Sequence, residues 1–157
     1  MRVAISGSSG FVGTPLARAL RADGHSVVPL VRRPASTADE VTWDPRRPAG
    51  GVDLATLGPV DAIVNLAGAG IGDRRWTASY KRELHGSHVG SARAAAELAV
   101  ALDPRPGVLV SVGAMGYYGT ANGGGPLTEA SPAGTDFAAR IIVDKEAATT
   151  PAAEAGV

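Results

Sequence analysis

The chain has 157 residues, enough for one domain with a buried core; 45% are apolar but only 4% aromatic, so small aliphatic side chains must build the interior. Acidic and basic residues balance at a formal net charge of zero, and no apolar stretch is long enough to span a bilayer or serve as a signal core, which argues against nucleic-acid and membrane partners. The absence of cysteine excludes disulfides and thiol-based metal sites or nucleophiles and suits a reducing cytoplasm, and His25, His85 and His88 suggest no metal site.

Residues 2–6 form a short apolar run ending in a glycine-rich turn, the pattern of a buried strand. Over residues 11–22, Phe11, Val12, Leu16, Ala19 and Leu20 recur at helical spacing, Pro15 falls near the first turn, and Asp23-Gly24 supplies a stop. Residues 26–31 read as a second strand, which completes a βαβ unit with parallel strands. A short third strand is expected over residues 40–43 and a fourth over 60–66, ending in Asn65-Leu66-Ala67-Gly68. Residues 69–77 read as loop, 78–102 as a long helix stopped by Asp103-Pro104, and 107–112 as another buried strand. Residues 113–134 are a glycine-rich loop, in which Gly123-Gly124-Gly125 reads as a mobile stretch. A last helix is expected from Thr135 to about Thr150, with Gly134 or Thr135 near its cap.

Alternating strands and helices predict an α/β fold: a Rossmann, doubly wound parallel sheet in three layers (α/β/α), with order 3-2-1-4-5 for the strands present. The elements stop after the helix that follows strand 5, where a sixth strand is expected. The whole chain, 1–157, therefore reads as an incomplete dinucleotide-binding domain without a C-terminal substrate-binding part. In that order the strand over residues 107–112 is a bare apolar edge, which predicts a homodimer through it or poor solubility.

Gly7-Ser8-Ser9-Gly10-Phe11-Val12-Gly13 lies between the first strand and the first helix. There the first glycine permits a tight turn, the second lets backbone approach a pyrophosphate, and the third lets helix and strand pack closely. Free N–H groups and the helix dipole then favour bound phosphate, and Ser8 and Ser9 add hydroxyl donors. A tight turn without a ligand is the simpler alternative. Cofactor choice is set at the end of the second strand, which reads Leu30-Val31-Arg32-Arg33 with no acid. Guanidinium pairs with a 2′-phosphate where a carboxylate would repel it, so Arg32 and Arg33 favour NADP(H), NAD(H) being the alternative. The two arginines also read simply as solvated loop charges.

With Asn65-Leu66-Ala67-Gly68 and Gly116-Tyr117-Tyr118-Gly119, the glycine loop resembles the extended short-chain dehydrogenase/reductase superfamily, in its NAD(P)-dependent epimerase/dehydratase branch. Arg74-Arg75-Trp76-Thr77, Lys81, Ser87-His88-Val89, Arg93 and Leu127-Thr128-Glu129-Ala130-Ser131-Pro132, with Asp136-Phe137 and Asp144-Lys145-Glu146, are similar to the "epimerase family protein" group within it. The resemblance covers nearly the whole chain and implies a protein of about twice this length, with Leu66, Ala67 and Gly68 bordering the cofactor.

In the wider superfamily a Tyr and a Lys four residues on, with a Ser and an Asn, carry proton transfer; the lysine makes the phenol acidic enough near neutrality. The resemblance puts these positions at Ala138, Ile142, Gly113 and His88, and no Tyr-x-x-x-Lys occurs in the chain. Ser111, Tyr117 and Tyr118 remain weak catalytic candidates near the C-terminal end of a strand. Arg74, Arg75 and Trp76 read equally as a clamp for an anionic or aromatic substrate and as a tie between loop and helix. Two functions follow. One is an NAD(P)(H)-dependent oxidoreductase or epimerase acting on an unknown small carbonyl compound or nucleotide sugar. The other is a non-catalytic NADP(H)-binding regulatory or interaction module.

Overall fold

A computed structural model describes residues 1–120 and 125–157; Gly123 and Gly124 of the expected mobile stretch lie outside the described residues. Five strands, β1 (Arg2–Ser6), β2 (Ser26–Val31), β3 (Val41–Thr42), β4 (Ala62–Asn65) and β5 (Val108–Ser111), form one parallel sheet of order β3-β2-β1-β4-β5. The helices are α1 (Gly13–Ala22), the single turn α2 (Leu54–Leu57), α3 (Ala78–Ala101), α4 (Phe137–Ala147) and α5 (Thr150–Glu154). This is the expected Rossmann architecture.

Strand alternation divides the core between the two faces of the sheet. Val3, Ile5, Val27 and Ala62 pack under Ala17, Leu16 and Leu20 of α1. Ala4, Val28, Leu30 and Ile63 pack on the other face against α3, whose Ala94, Ala95, Ala96 and Ala99 are sealed. Alanine at the contact lets the helix lie close to the sheet, as the composition requires.

On β5, Leu109 joins the α3 side, whereas Val108 and Val110 point the other way and remain 39% and 46% exposed. The bare apolar surface is thus one face of β5 as well as its edge.

Helix ends follow local chemistry. Gly24, at φ 80°, closes α1 while Gly24 and His25 donate their N–H groups to Arg21 and Leu20 carbonyls. Thr77 caps α3 by accepting from the Tyr80 N–H at 3.2 Å. Three expectations need correction. Helix α1 starts at Gly13, leaving Phe11 97% exposed outside its apolar face. The cap of α4 is Asp136, which accepts from the Ala139 N–H at 2.9 Å, rather than Gly134 or Thr135. The single last helix is two, α4 and α5.

Candidate functional site

The turn between β1 and α1 explains its glycines atom by atom. Gly7 sits at φ 71°, and a Cβ there would stand 2.9 Å from the Leu66 carbonyl carbon. At Gly13 a Cβ would stand 2.2 Å from the Gly7 carbonyl oxygen, so only glycine lets α1 close on the turn. Gly10 is different: its nearest obstacle, the Gly7 oxygen, is 3.3 Å away. Its freedom from a side chain therefore serves the open side of the loop, where a ligand would approach. The first intrahelical bond runs from Thr14 N to Gly10 O at 3.0 Å; the N–H groups of Phe11, Val12 and Gly13 take no partner among the described residues.

The loop opens on a cleft of about 890 Å³, within the roughly 300–1,000 Å³ of small-molecule and cofactor sites. Gly7, Ser8, Ser9 and Gly10 line it from β1; Leu66, Ala67 and Gly68 line it from β4. Phe11, Val12 and Gly13 stand outside its lining, so they contribute backbone and helix dipole rather than walls. The cleft crosses the C-terminal ends of β1, β2 and β4, where ligands bind in doubly wound sheets. Its shape and donors fit a dinucleotide.

Four guanidinium groups border the cleft: Arg21, Arg32, Arg33 and Arg74. Arg33 is already committed. Its two nitrogens meet Glu40 at 2.7 and 2.5 Å, and it also donates to the Pro34 carbonyl and the Ser36 hydroxyl at 3.0 Å. The Arg33 fork, then the Ser36 N–H and hydroxyl, hold the Glu40 carboxyl down to about 2. Arg32 is exposed, and among the described residues no carboxylate engages it. Sequence reasoning treated the two arginines alike and missed both Glu40 and Arg21. The signal for Glu40 is topological: β3 pairs with β2 at Leu30↔Val41, which brings the residue before β3 to the end of β2.

Beneath the cleft lies a buried polar network that the sequence did not reveal. Ser6 Oγ donates to Asn65 Oδ1 at 2.7 Å, and Asn65 Nδ2 donates to Ser111 Oγ at 3.3 Å and Ser91 Oγ at 3.5 Å. Ser91 in turn donates to the Ala67 carbonyl at 2.9 Å. One amide thus ties β1, β4, β5 and α3 together under the loops.

The catalytic candidates do not converge on the cleft. Ser111 points to Asn65 rather than to the cleft lining. Tyr117 packs against Tyr80, Leu84, Ile141 and Ile142. Tyr118 meets Tyr117 edge to face at 5.2 Å and borders a separate cavity of about 260 Å³. At the positions that the resemblance assigns to proton transfer, Ala138 and the buried Ile142 on α4 carry no ionisable group, and Gly113 carries no side chain.

The Arg-Arg-Trp loop is tied to its surroundings. Trp76 Nε1 donates to the Ile71 carbonyl at 2.8 Å, and its ring meets Phe137 edge to face at 5.5 Å, with Lys81 over both rings. Arg74 lies over the Tyr80 ring at 5.5 Å and pairs with Glu83 at 3.5 Å, while bordering the far end of the cleft. Trp76 is therefore a tie, and Arg74 both a tie and a wall.

Comparison with known proteins agrees with this geometry. The model of the NAD dependent epimerase/dehydratase family matches residues 3–143. The chain belongs to that family. It is 39% identical over 154 residues to the epimerase family protein Mb2239 of Mycobacterium bovis, spanning 98% of this chain and 50% of that protein. It is similar at 34% identity to the human epimerase family protein SDR39U1, over 94% of this chain and 48% of that one.

The solved structure of human SDR39U1 (isoform2) with NADPH superposes with a TM-score of 0.82 at 32% identity, covering 95% of this chain and 48% of that one. The structure described as a nucleoside-diphosphate sugar epimerase from Corynebacterium glutamicum gives a TM-score of 0.82 at 35% identity, covering 99% of this chain and 32% of that one. The chain thus spans about half the length of the curated relatives it matches.

Proposed function

We propose that residues 1–157 are the dinucleotide-binding domain of an NADP(H)-dependent member of the epimerase/dehydratase family. The pyrophosphate lies along the open side of Gly10 and the first turn of α1, and Arg32 pairs with the 2′-phosphate. The observation that carries this reading is that Gly10 and an arginine free of carboxylates border one cleft. The human relative's structure with NADPH supports the choice of cofactor. A chain without cysteine suits a reducing cytoplasm, where we place it.

When bound, NADPH would supply a hydride. For the full-length protein we assign as substrate a small carbonyl compound or a nucleotide sugar, met at the C-terminal edge of β4 and β5. This chain's own residues grip and orient the cofactor; none of Ala138, Ile142 and Gly113 moves a proton. That same fact favours a second reading, a non-catalytic NADP(H)-binding regulator or interaction module. Fluorescence of bound NADPH separates them: loss of the signal on adding carbonyl or sugar-nucleotide substrates to full-length protein indicates turnover, and a stable signal across a broad panel indicates a binding module.

We also propose that the isolated chain self-associates through the apolar β5. Light scattering should report a dimer or larger species; a monodisperse monomer would contradict this.

A further inference from the structure

Two buried polar groups at the α3–α4 contact play no part in the reading above. His88 donates from Nε2 to the Ala69 carbonyl at 3.0 Å, which leaves Nδ1 as a lone-pair acceptor; that atom is buried and finds no partner among the described residues. Lys145 is only 4% exposed, and among the described residues its ammonium has no hydrogen bond or ion pair. His88 Nδ1 is an exception to the rule that buried polar groups are satisfied.

Contacts step forward along the seam between α3 and α4: Trp76, just before α3, with Phe137, then His85 with Asp144. The His88 ring also fills the space under Gly68, where a Cβ would stand 2.3 Å from the ring. Gly68 and Ala69 line the dinucleotide cleft.

We propose that His88 is a positioning residue for dinucleotide binding: the Ala69 carbonyl keeps it as the Nε2–H tautomer, and its ring and N–H prop the Gly68–Ala69 wall of the cleft. The proposal rests on the dinucleotide reading for its function, but the prop itself can be measured without ligand. From α4, Lys145 is the charged group that acts on His88, because Asp144 is engaged by His85 at 2.7 Å and Glu146 lies against Gly113. The β4–α3 loop offers the ring the Gly68 backbone and the Ala69 carbonyl, neither of them charged. Burial first, and then Lys145, hold the imidazole below its ordinary value, against the Ala69 bond that raises it. Protonating Nδ1 would set two cations against each other and push on that wall.

Long-range proton–nitrogen spectra of ligand-free protein read the tautomer directly. We expect Nε2–H at neutral pH, and Gly68, Ala69 and Gly70 amide shifts that follow the His88 titration. An Nδ1–H tautomer, or amides blind to the titration, would overturn the proposal.

NADPH titration supplies the functional arm. His88→Gln keeps a donor and cannot charge, so its affinity should stay within about threefold of wild type and lose its acid-side decline. His88→Leu, with circular dichroism unchanged, should bind roughly tenfold more weakly. Equal affinities for the Gln and Leu variants would also overturn it. If wild type binds no dinucleotide at all, the function proposed above fails, and the spectra still decide whether the prop exists.

Discussion

Ser6 at the end of β1 donates its hydroxyl to Oδ1 of Asn65 at the end of β4, 2.7 Å away, with both side chains almost entirely removed from solvent. The two strands are register partners at these residues, so one bond pins the point from which the glycine turn and the β4 loop both depart. Asn65→Leu would strand the buried Ser6 hydroxyl and take the amide donor from Ser111, while Ser91 would keep its bond to the Ala67 carbonyl. It should cost roughly 2–4 kcal/mol in urea denaturation, the range for breaking a buried hydrogen-bond network. A loss below about 1 kcal/mol would show that the network is dispensable.

The three glycines of the turn should separate by phenotype. Gly13→Ala drives a methyl into the Gly7 carbonyl and should disrupt folding, seen as lost helicity or insoluble protein. Gly10→Ala meets only one atom, at 3.3 Å, so the fold should survive while dinucleotide affinity falls at least tenfold, roughly 1.4 kcal/mol. Gly10→Ala protein that binds as tightly as wild type would remove the phosphate from this loop.

The backbone plan was legible because its signals are local: apolar runs bounded by glycine and proline, and a glycine triplet at the one junction that needs it. What stayed hidden depends on tertiary pairing. Glu40 is seven positions from Arg33 and carries no mark of reaching it until β3 lies beside β2. Asn65 was visible as part of a turn motif, but its partners Ser6, Ser91 and Ser111 come from three other elements. Phe11 looked like the first apolar residue of a helix, yet the turn leaves it in solvent. Thr135 looked like a cap, but Asp136, one place on, accepts from both Ala139 and Thr120 N–H groups. The missing Tyr-x-x-x-Lys was plain from the residues alone.

The Arg33–Glu40 pair makes a prediction about pH. Because Arg33 holds the Glu40 carboxyl at about 2, below its unfolded value, the pair is fully formed above the ordinary carboxylate range and is lost only as pH falls toward that value. The ratio of NADPH to NADH affinity should therefore not vary through this pair between about pH 5 and 9. Glu40→Gln releases the Arg33 fork and should raise that ratio several-fold by tightening NADPH. A Glu40→Gln ratio equal to wild type would mean Arg33 does not reach the 2′-phosphate even when free.

Lys145 should weaken the fold that contains it. Burial pushes its ammonium below the ordinary lysine value, so keeping it charged at neutral pH costs stability. Lys145→Met has similar length and no charge and should raise stability by about 1 kcal/mol, read as a higher Tm. A lower Tm would indicate that the ammonium has a stabilising partner.

The central claim is that the cleft binds NADP(H) and that Arg32 reads its 2′-phosphate. Calorimetric titration of NADPH and NADH, separately, into the wild type and Arg32→Ala tests it most directly. The expected result is NADPH bound at least tenfold more tightly than NADH by wild type, with that preference lost in Arg32→Ala and NADH affinity unchanged. Equal affinities in wild type, or a preference that survives Arg32→Ala, would contradict the assignment of Arg32. Binding of neither nucleotide would contradict the site itself.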